Sequence, residues 1–112
     1  MSGWYELSKA KDGQFHFVLK AGNGEIILTS ELYKAKASAF NGIESVQKNS
    51  PEDGKYERLE AKNGKLYFNL KAVNHQVIGT SQMYSSTQTR DHGIESVKTN
   101  GASEKVKDLT EA

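Results

Sequence analysis

Cysteine is absent from the 112 residues, which removes disulfides, thiolate metal sites and a cysteine nucleophile together and fits a reducing compartment. A cytoplasmic location is expected on that ground. Proline occurs once, at Pro51, so a single point in the chain carries the strongest helix-stopping signal. No apolar run approaches the roughly 20 residues that cross a bilayer, and the opening Met1-Ser2-Gly3-Trp4-Tyr5 lacks a basic region followed by an apolar one. Neither export by an ordinary signal nor a membrane partner is expected. An excess of charge is also missing: Lys and Arg number 15 against 14 Asp and Glu, so no net field draws the chain to nucleic acid or anionic lipid, although a local patch still can. At this length one domain with one hydrophobic core, residues 1–112, is expected.

What the chain does contain is itself, twice. Shifting the sequence by 51 places aligns residues 3–50 with 54–101 without a gap, and roughly 20 of the 48 pairs are identical. "LKAGN" meets "LKAVN", "TSELY" meets "TSQMY", and "NGIESV" meets "HGIESV". Agreement runs along the whole copy, which is how a repeated architecture looks; a local motif would match in one patch.

Each copy carries two hairpin signals and then a helix. Asp12-Gly13 and Asn63-Gly64 are dipeptides that take positive φ in tight turns, and alternating segments flank them. In "QFHFVLKA" Phe15, Phe17, Leu19 and Ala21 share one face, and in "KLYFNLKA" Leu66, Phe68, Leu70 and Ala72 do so. A second turn is expected at Gly22-Asn23-Gly24 and at Val73-Asn74-His75, with Asn taking the left-handed conformation that Val and His resist. The third strand is "EIILTS" or "QVIGTS". Its register is open, because a two-residue and a three-residue loop turn opposite residues inward.

Beyond Ser30 and Ser81 the period changes. Ala39, Ile43, Val46 and Ser50 form a helical stripe with Phe40 at its edge, and the second copy keeps Ile94 and Val97. "YKAKASAFNGIESVQKN" and "YSSTQTRDHGIESVKTN" therefore read as helices, the second started by a Ser85–Gln88 capping box that the first lacks. The repeated "GIESV" explains itself within these helices. Gly42 and Gly93 cost about 0.5–1 kcal/mol relative to Ala unless they pack against a neighbour, and the Ile and Val three places apart point at the sheet. Glu44, Ser45, Glu95 and Ser96 are left toward solvent or the helix flank. One copy of about 50 residues buries too little surface to be stable alone, so the two copies are expected to share a core. "KYERLEA" after Pro51 reads as a junction strand serving both halves, and the tail at about 105–110 follows the second helix in the same way as a closing strand.

The pairing of "FVLKAGNGEIILTSELY" with "FNLKAVNHQVIGTSQMY", each before a "GIESV" helix, resembles the YegP-like family of small bacterial proteins over about residues 2–110. The resemblance implies two tandem β-β-β-α-β repeats with their final strands exchanged in one sheet. The expected fold is thus α+β: a mainly antiparallel sheet, two helices on one face, and a pseudo-twofold axis. The family is uncharacterised and has no catalytic or binding residues to carry over.

The residues themselves assemble no reaction. His16, His75 and His92 fall on a strand, a turn and a helix with no metal-ligand spacing; "GIESV" is no nucleophile elbow; and "GNG" at 22–24 joins two strands where a phosphate cradle would open a helix. No catalytic residue, metal or cofactor is predicted. The candidate binding surface is the sheet face turned from the helices, carrying His16, Lys20, Tyr67, Asn69 and Lys71. Tyr33 and Tyr84 at the strand-to-helix corners, and Glu44 and Glu95 on the helices, are secondary candidates. The reading is a non-catalytic module that binds a protein or small ligand. Its alternative is weak single-stranded nucleic-acid binding, with bases stacking on the outer face and lysines meeting phosphates. Two fused copies satisfy each other's strand edges, so a monomer is expected.

Overall fold

The computed structural model describes residues 3–110. In chain order it contains β1 (Trp4–Lys9), β2 (Phe15–Lys20), β3 (Ile26–Ser30), α1 (Lys36–Asn49), β4 (Tyr56–Glu60), β5 (Leu66–Lys71), β6 (Val77–Thr80), α2 (Thr87–Asn100) and β7 (Val106–Asp108). The strands form one sheet in the order β4-β5-β6-β3-β2-β1-β7, antiparallel except where β7 runs parallel to β1. The fold is α+β, with two matched units meeting at β3 and β6. Thr29 pairs with Thr80, its own repeat equivalent, so the pseudo-twofold axis passes between them.

The alternating strands bury the side the sequence assigns. Tyr5, Leu7, Phe17, Leu19, Phe68 and Leu70 are fully buried, and Ile43, Val46, Ile94 and Val97 of the helices close over them in one core. Each helix touches strands of both halves: α1 lies on β2, β5 and β6, and α2 on β5, β3 and β2. Neither half could keep its core covered without the other's helix.

The open register of the third strand resolves through a bulge. Leu19 pairs with Leu28 but Lys20 pairs with Ile26, so Ile27 is an extra residue; Ile78 is the extra residue between Leu70–Gly79 and Lys71–Val77. Two consecutive residues, Ile27 with Leu28 and Ile78 with Gly79, therefore face inward, which neither strict two-period alternative allows.

All four hairpin turns share one construction. The side chains of Asp12, Asn23, Asn63 and Asn74 accept from the backbone N–H two places on, and the residue between takes positive φ. Three of those residues are Gly13, Gly24 and Gly64; the fourth is His75, at φ 68°. The expectation that Asn74 would adopt the left-handed conformation is corrected: its side chain closes the turn and His75 bears the strain, on the order of 1–2 kcal/mol for a residue with a Cβ.

The helices start later than their apolar pattern indicates. Tyr33 and Tyr84 still belong to the sheet, bridging Phe15 and Leu66 through paired backbone hydrogen bonds. The capping box is one place further on than expected: Ser86 accepts from the Thr89 N–H and Thr89 Oγ1 from the Ser86 N–H, with no part for Ser85 or Gln88. In α1 the equivalent cap is Ala35, whose side chain has no acceptor for the first helix N–H groups. Ala35→Ser should therefore stabilise the protein by about 0.5–2 kcal/mol in urea unfolding, and Ser86→Ala should cost a similar amount.

The final strands are exchanged as expected: β7, which follows α2, pairs with β1 of the first half, and β4, which follows α1, pairs in the sheet with β5 of the second half. Its tie to the first half is the Tyr56 hydroxyl, which donates to the Ser50 carbonyl at 2.8 Å and holds the end of α1. Tyr5 does the same for α2, donating to Gly101 at 2.6 Å. Burial pushes both phenols well above their ordinary pKa, keeping them donors.

β7 breaks the twofold, since β4 has no seventh strand beside it. It is pinned by the Tyr5 N–H donating to Lys105 O, by the Leu109 N–H donating to Leu7 O, and by Asp108 meeting Lys36 at the start of α1, 2.6 Å away. The Lys36 ammonium, and after it the Thr110 hydroxyl and amide, hold the Asp108 carboxyl down at about 2. A depressed folded pKa means this clasp is fully present above the ordinary carboxylate pKa and is lost as pH falls through about 2. The Asp108 carboxyl carbon shift should titrate there, and Lys36→Met should move the midpoint part-way toward the ordinary range, since Thr110 still donates. An unmoved midpoint would show that Lys36 is not the cause.

Candidate functional site

The GIESV helices were built for docking, and the structure says how. A Cβ on Gly42 would fall on the Tyr33 hydroxyl, and one on Gly93 on the Tyr84 hydroxyl. Those tyrosines stack on Phe17 and Phe68 with interplanar angles of 9°. Ser45 and Ser96 each receive the Asn49 or Asn100 amide, through both carbonyl and Oγ. Asn100 in turn accepts the buried Gly3 N–H at 2.7 Å. Glu44 is exposed, and Glu95 meets only Lys98 in its exposed ion pair at 3.3 Å.

His16, Lys20, Tyr67, Asn69 and Lys71 do share the outer sheet face, on β2 and β5, but both of these lysines are paired with carboxylates. Lys20 pairs with Glu6 at 3.2 Å and Lys71 with Glu57 at 3.1 Å, two contacts that repeat each other across the axis. The Trp4 indole N–H, and next Lys20, hold Glu6 below the ordinary carboxylate pKa; Lys71 and then Asn69 do so for Glu57. Asn69 also accepts from Thr80 Oγ1 at 2.8 Å. His16 Nε2 lies 3.2 Å from Ser8 Oγ, and its buried Nδ1 has no partner, so no acidic group orients the ring as a serine–histidine pair would need. His75 stands in a turn and His92 on α2, and among the described residues no three His, Asp or Glu side chains gather.

Clefts of about 600 Å³ at Lys20 and about 310 Å³ at Lys71 and His75 border the outer sheet face, and three more run along the outer flank of α1. A cleft of about 390 Å³ separates Ser38, Asn41 and Ser45 from Asn74 and Gln76 of the β5–β6 turn, with Tyr33 at its base. It continues along the helix into a cleft of about 580 Å³ at Glu44 and Lys48, and into one of about 350 Å³ under Val73. Ser45 borders all three. Burial, and then the Glu31 carboxylate, raise the Tyr33 phenol, so it offers an O–H to the cleft. Amides and hydroxyls of Ser38, Asn41, Asn74 and Gln76 share the lining with apolar Ala72, Val77 and Ile78, and Glu44 and Lys48 charge the second cleft, chemistry suited to a small molecule with both polar and apolar parts. The two secondary candidates Tyr33 and Glu44 fall here, with Ser45 beside Glu44; Ser38, Asn41, Asn74 and Gln76 were missed. Their one signal in the sequence is that Val73-Asn74-His75 departs from its counterpart Gly22-Asn23-Gly24.

The model of a domain of unknown function, DUF1508, matches the chain twice, at residues 10–57 and 61–108. The chain belongs to the DUF1508 family. Each match runs from a second strand through the helix into the strand beyond, so the family unit takes in β4 or β7. Among DUF1508 relatives, a UPF0339 protein of Acinetobacter baylyi is 78% identical over 98% of this chain and 99% of its own length. UPF0339 protein YegP of Escherichia coli K12 is 64% identical over 98% and 100%. The solution NMR structure of the E. coli YegP, described as of unknown function, covers 100% of this chain and 97% of that one with a TM-score of 0.95 at 63% identity. That of a UPF0339 protein from Shewanella oneidensis covers 98% and 93%, with a TM-score of 0.93 at 68% identity. The DUF1508 family carries no assigned reaction or ligand.

Proposed function

We propose that the protein is a monomeric, non-catalytic binding module that seats a small, partly polar molecule in the clefts along α1. One observation carries this reading: the wall of those clefts is where the second copy abandons the turn that the fold already accepts in the first. Gly22-Asn23-Gly24 makes the hairpin without strain, whereas Val73-Asn74-His75 places a histidine at φ 68° and leaves Val73 68% exposed. Folding alone favours the glycines; Val73 and Asn74 of this turn line those clefts, while the strained His75 borders a separate cleft of about 310 Å³ with Glu52, Lys55 and Lys71, so the exchange is better explained by what the turn presents on its two sides. The amides and hydroxyls can hydrogen-bond a small ligand whose apolar part meets Ala72, Val77 and Ile78, with Glu31 at one end able to receive an ammonium group.

An amide-shift screen of the labelled protein against nucleosides, sugars and amines tests this. Saturable shifts confined to Ser38, Asn41, Ser45, Asn74 and Gln76, weakened by Asn41→Ala, are the expected result. Saturable shifts confined to the opposite sheet face, or turnover of a screened compound, would displace the reading.

A further inference from the structure

The outer face is not uniform, and β7 makes the difference. Parallel pairing of Tyr5 with Val106 and Glu6 with Lys107 sets Lys105 beside Trp4, while antiparallel pairing sets Lys20 on its other side. Three neighbouring strands thus present a row Lys105, Trp4, Lys20, with Lys107 and Glu6 in the next row. The Trp4 N–H donates to Glu6 Oε2 at 2.8 Å, which fixes the half-buried indole, and the Lys107 and Lys105 ammonium groups lie 5.0 and 6.0 Å from its centre. Lys20 is held by Glu6. Three lysines surround one carboxylate, so this corner is locally cationic on a chain of net charge +1. Nothing in the fold requires it: the other half has Lys55 where Trp4 stands and no strand beyond β4.

We propose that this corner binds single-stranded nucleic acid, one base stacking on Trp4 and the flanking phosphates meeting Lys105 and Lys107. It goes beyond the cleft reading and does not depend on it. An indole fixed through its N–H can stack at little ordering cost once Lys105 and Lys107 turn from its ring to the phosphates, and stacking on an aromatic ring tolerates any base. Lys105, just before β7, and Lys107 within it lose only a cation–π contact in exchange for a phosphate oxygen. Lys20 stays with Glu6 and sets the edge of the site. The partner is single-stranded because the aromatic ring needs an unpaired base, which a duplex or a lipid headgroup does not offer.

Trp4 is the only tryptophan, so its fluorescence reports on the site directly. A short oligothymidylate at low salt should quench it saturably, with affinity falling as salt rises at a log–log slope of about −0.7 per phosphate contact. Lys105→Gln with Lys107→Gln should reduce that slope by about 1.4 while the Tyr5 amide, bonded to the Lys105 carbonyl, keeps its slow exchange. Persistence of that amide separates lost binding from a detached β7. The proposal is overturned by absence of quenching at low salt, by an unchanged slope in the double variant, or by equal quenching from inorganic phosphate or anionic vesicles.

Discussion

Leu28→Gly is expected to destabilise the protein by about 2–5 kcal/mol or more and Gly79→Leu by about 1–3 kcal/mol or more, yet Leu28→Gly combined with Gly79→Leu should fall well short of the sum. Leu28 and Gly79 are repeat equivalents that meet at the axis. Leu28 is 1% exposed, and a Cβ on Gly79 would stand 2.7 Å from its Cγ and 3.1 Å from the Thr29 carbonyl. One leucine fills the space of two. Removing it opens a cavity, adding a second overpacks the axis, and moving it across the axis exchanges the two roles. A second pair obeys the same rule: Ser50 is fully buried and occupies the place of a side chain on its equivalent, Gly101. Urea unfolding of the wild type, both single variants and the exchange at one pH measures the coupling, expected at about 0.5–3 kcal/mol. Additivity would show that the pair does not meet as described. A homodimer of one repeat could not use this device, because each residue at the axis would face its own copy. Fusion into one chain is what lets the halves differ.

The same freedom explains what the sequence made legible and what it left hidden. A shift of 51 residues is a statement about the whole chain, and from it the strands with Phe17 and Phe68, the Ile–Val helix stripes and the shared core follow by period alone. Period reading fails where one residue is added, as at Ile27 and Ile78, because a bulge has no local pattern. It fails at the cap, where Ser85 and Ser86 are adjacent and only geometry chooses between them. Glu6 with Lys20 and Glu57 with Lys71 are fourteen residues apart in both copies, but their pairing is visible only once β1–β2 and β4–β5 registers are known. The candidate sites are harder still. The clefts lie between α1 of one copy and a turn of the other, and the Trp4 corner depends on β7 returning about a hundred residues later to lie parallel to β1. Both candidate sites stand where the second copy is not a repeat of the first. The residues that the copies share, Gly42 with Gly93 or Ser45 with Ser96, serve docking and helix ends, so function is better sought in the differences.

Ile43→Ala and Ile94→Ala should each cost about 2–5 kcal/mol, by nearly equal amounts, and both variants should unfold in a single transition. The two isoleucines are 2% and 1% exposed, each beside a glycine that lets its helix settle on a tyrosine. Truncation leaves a cavity that the sheet cannot close, because Phe17 and Phe68 are locked by edge contacts with Tyr5 and Tyr56 and by stacking on Tyr33 and Tyr84. Equality follows from the twofold, and the single transition follows from α1 and α2 each covering strands of both halves. Damage to either isoleucine therefore reaches the whole core. Two separated transitions in Ile43→Ala, followed by far-ultraviolet and near-ultraviolet signals, would mean that each copy unfolds alone. A cost confined to one of the two positions would mean that the helices do not dock in equivalent ways. Sedimentation of the wild type belongs with this experiment, since a stable dimer would let a partner chain supply the cover that is assigned here to the second copy.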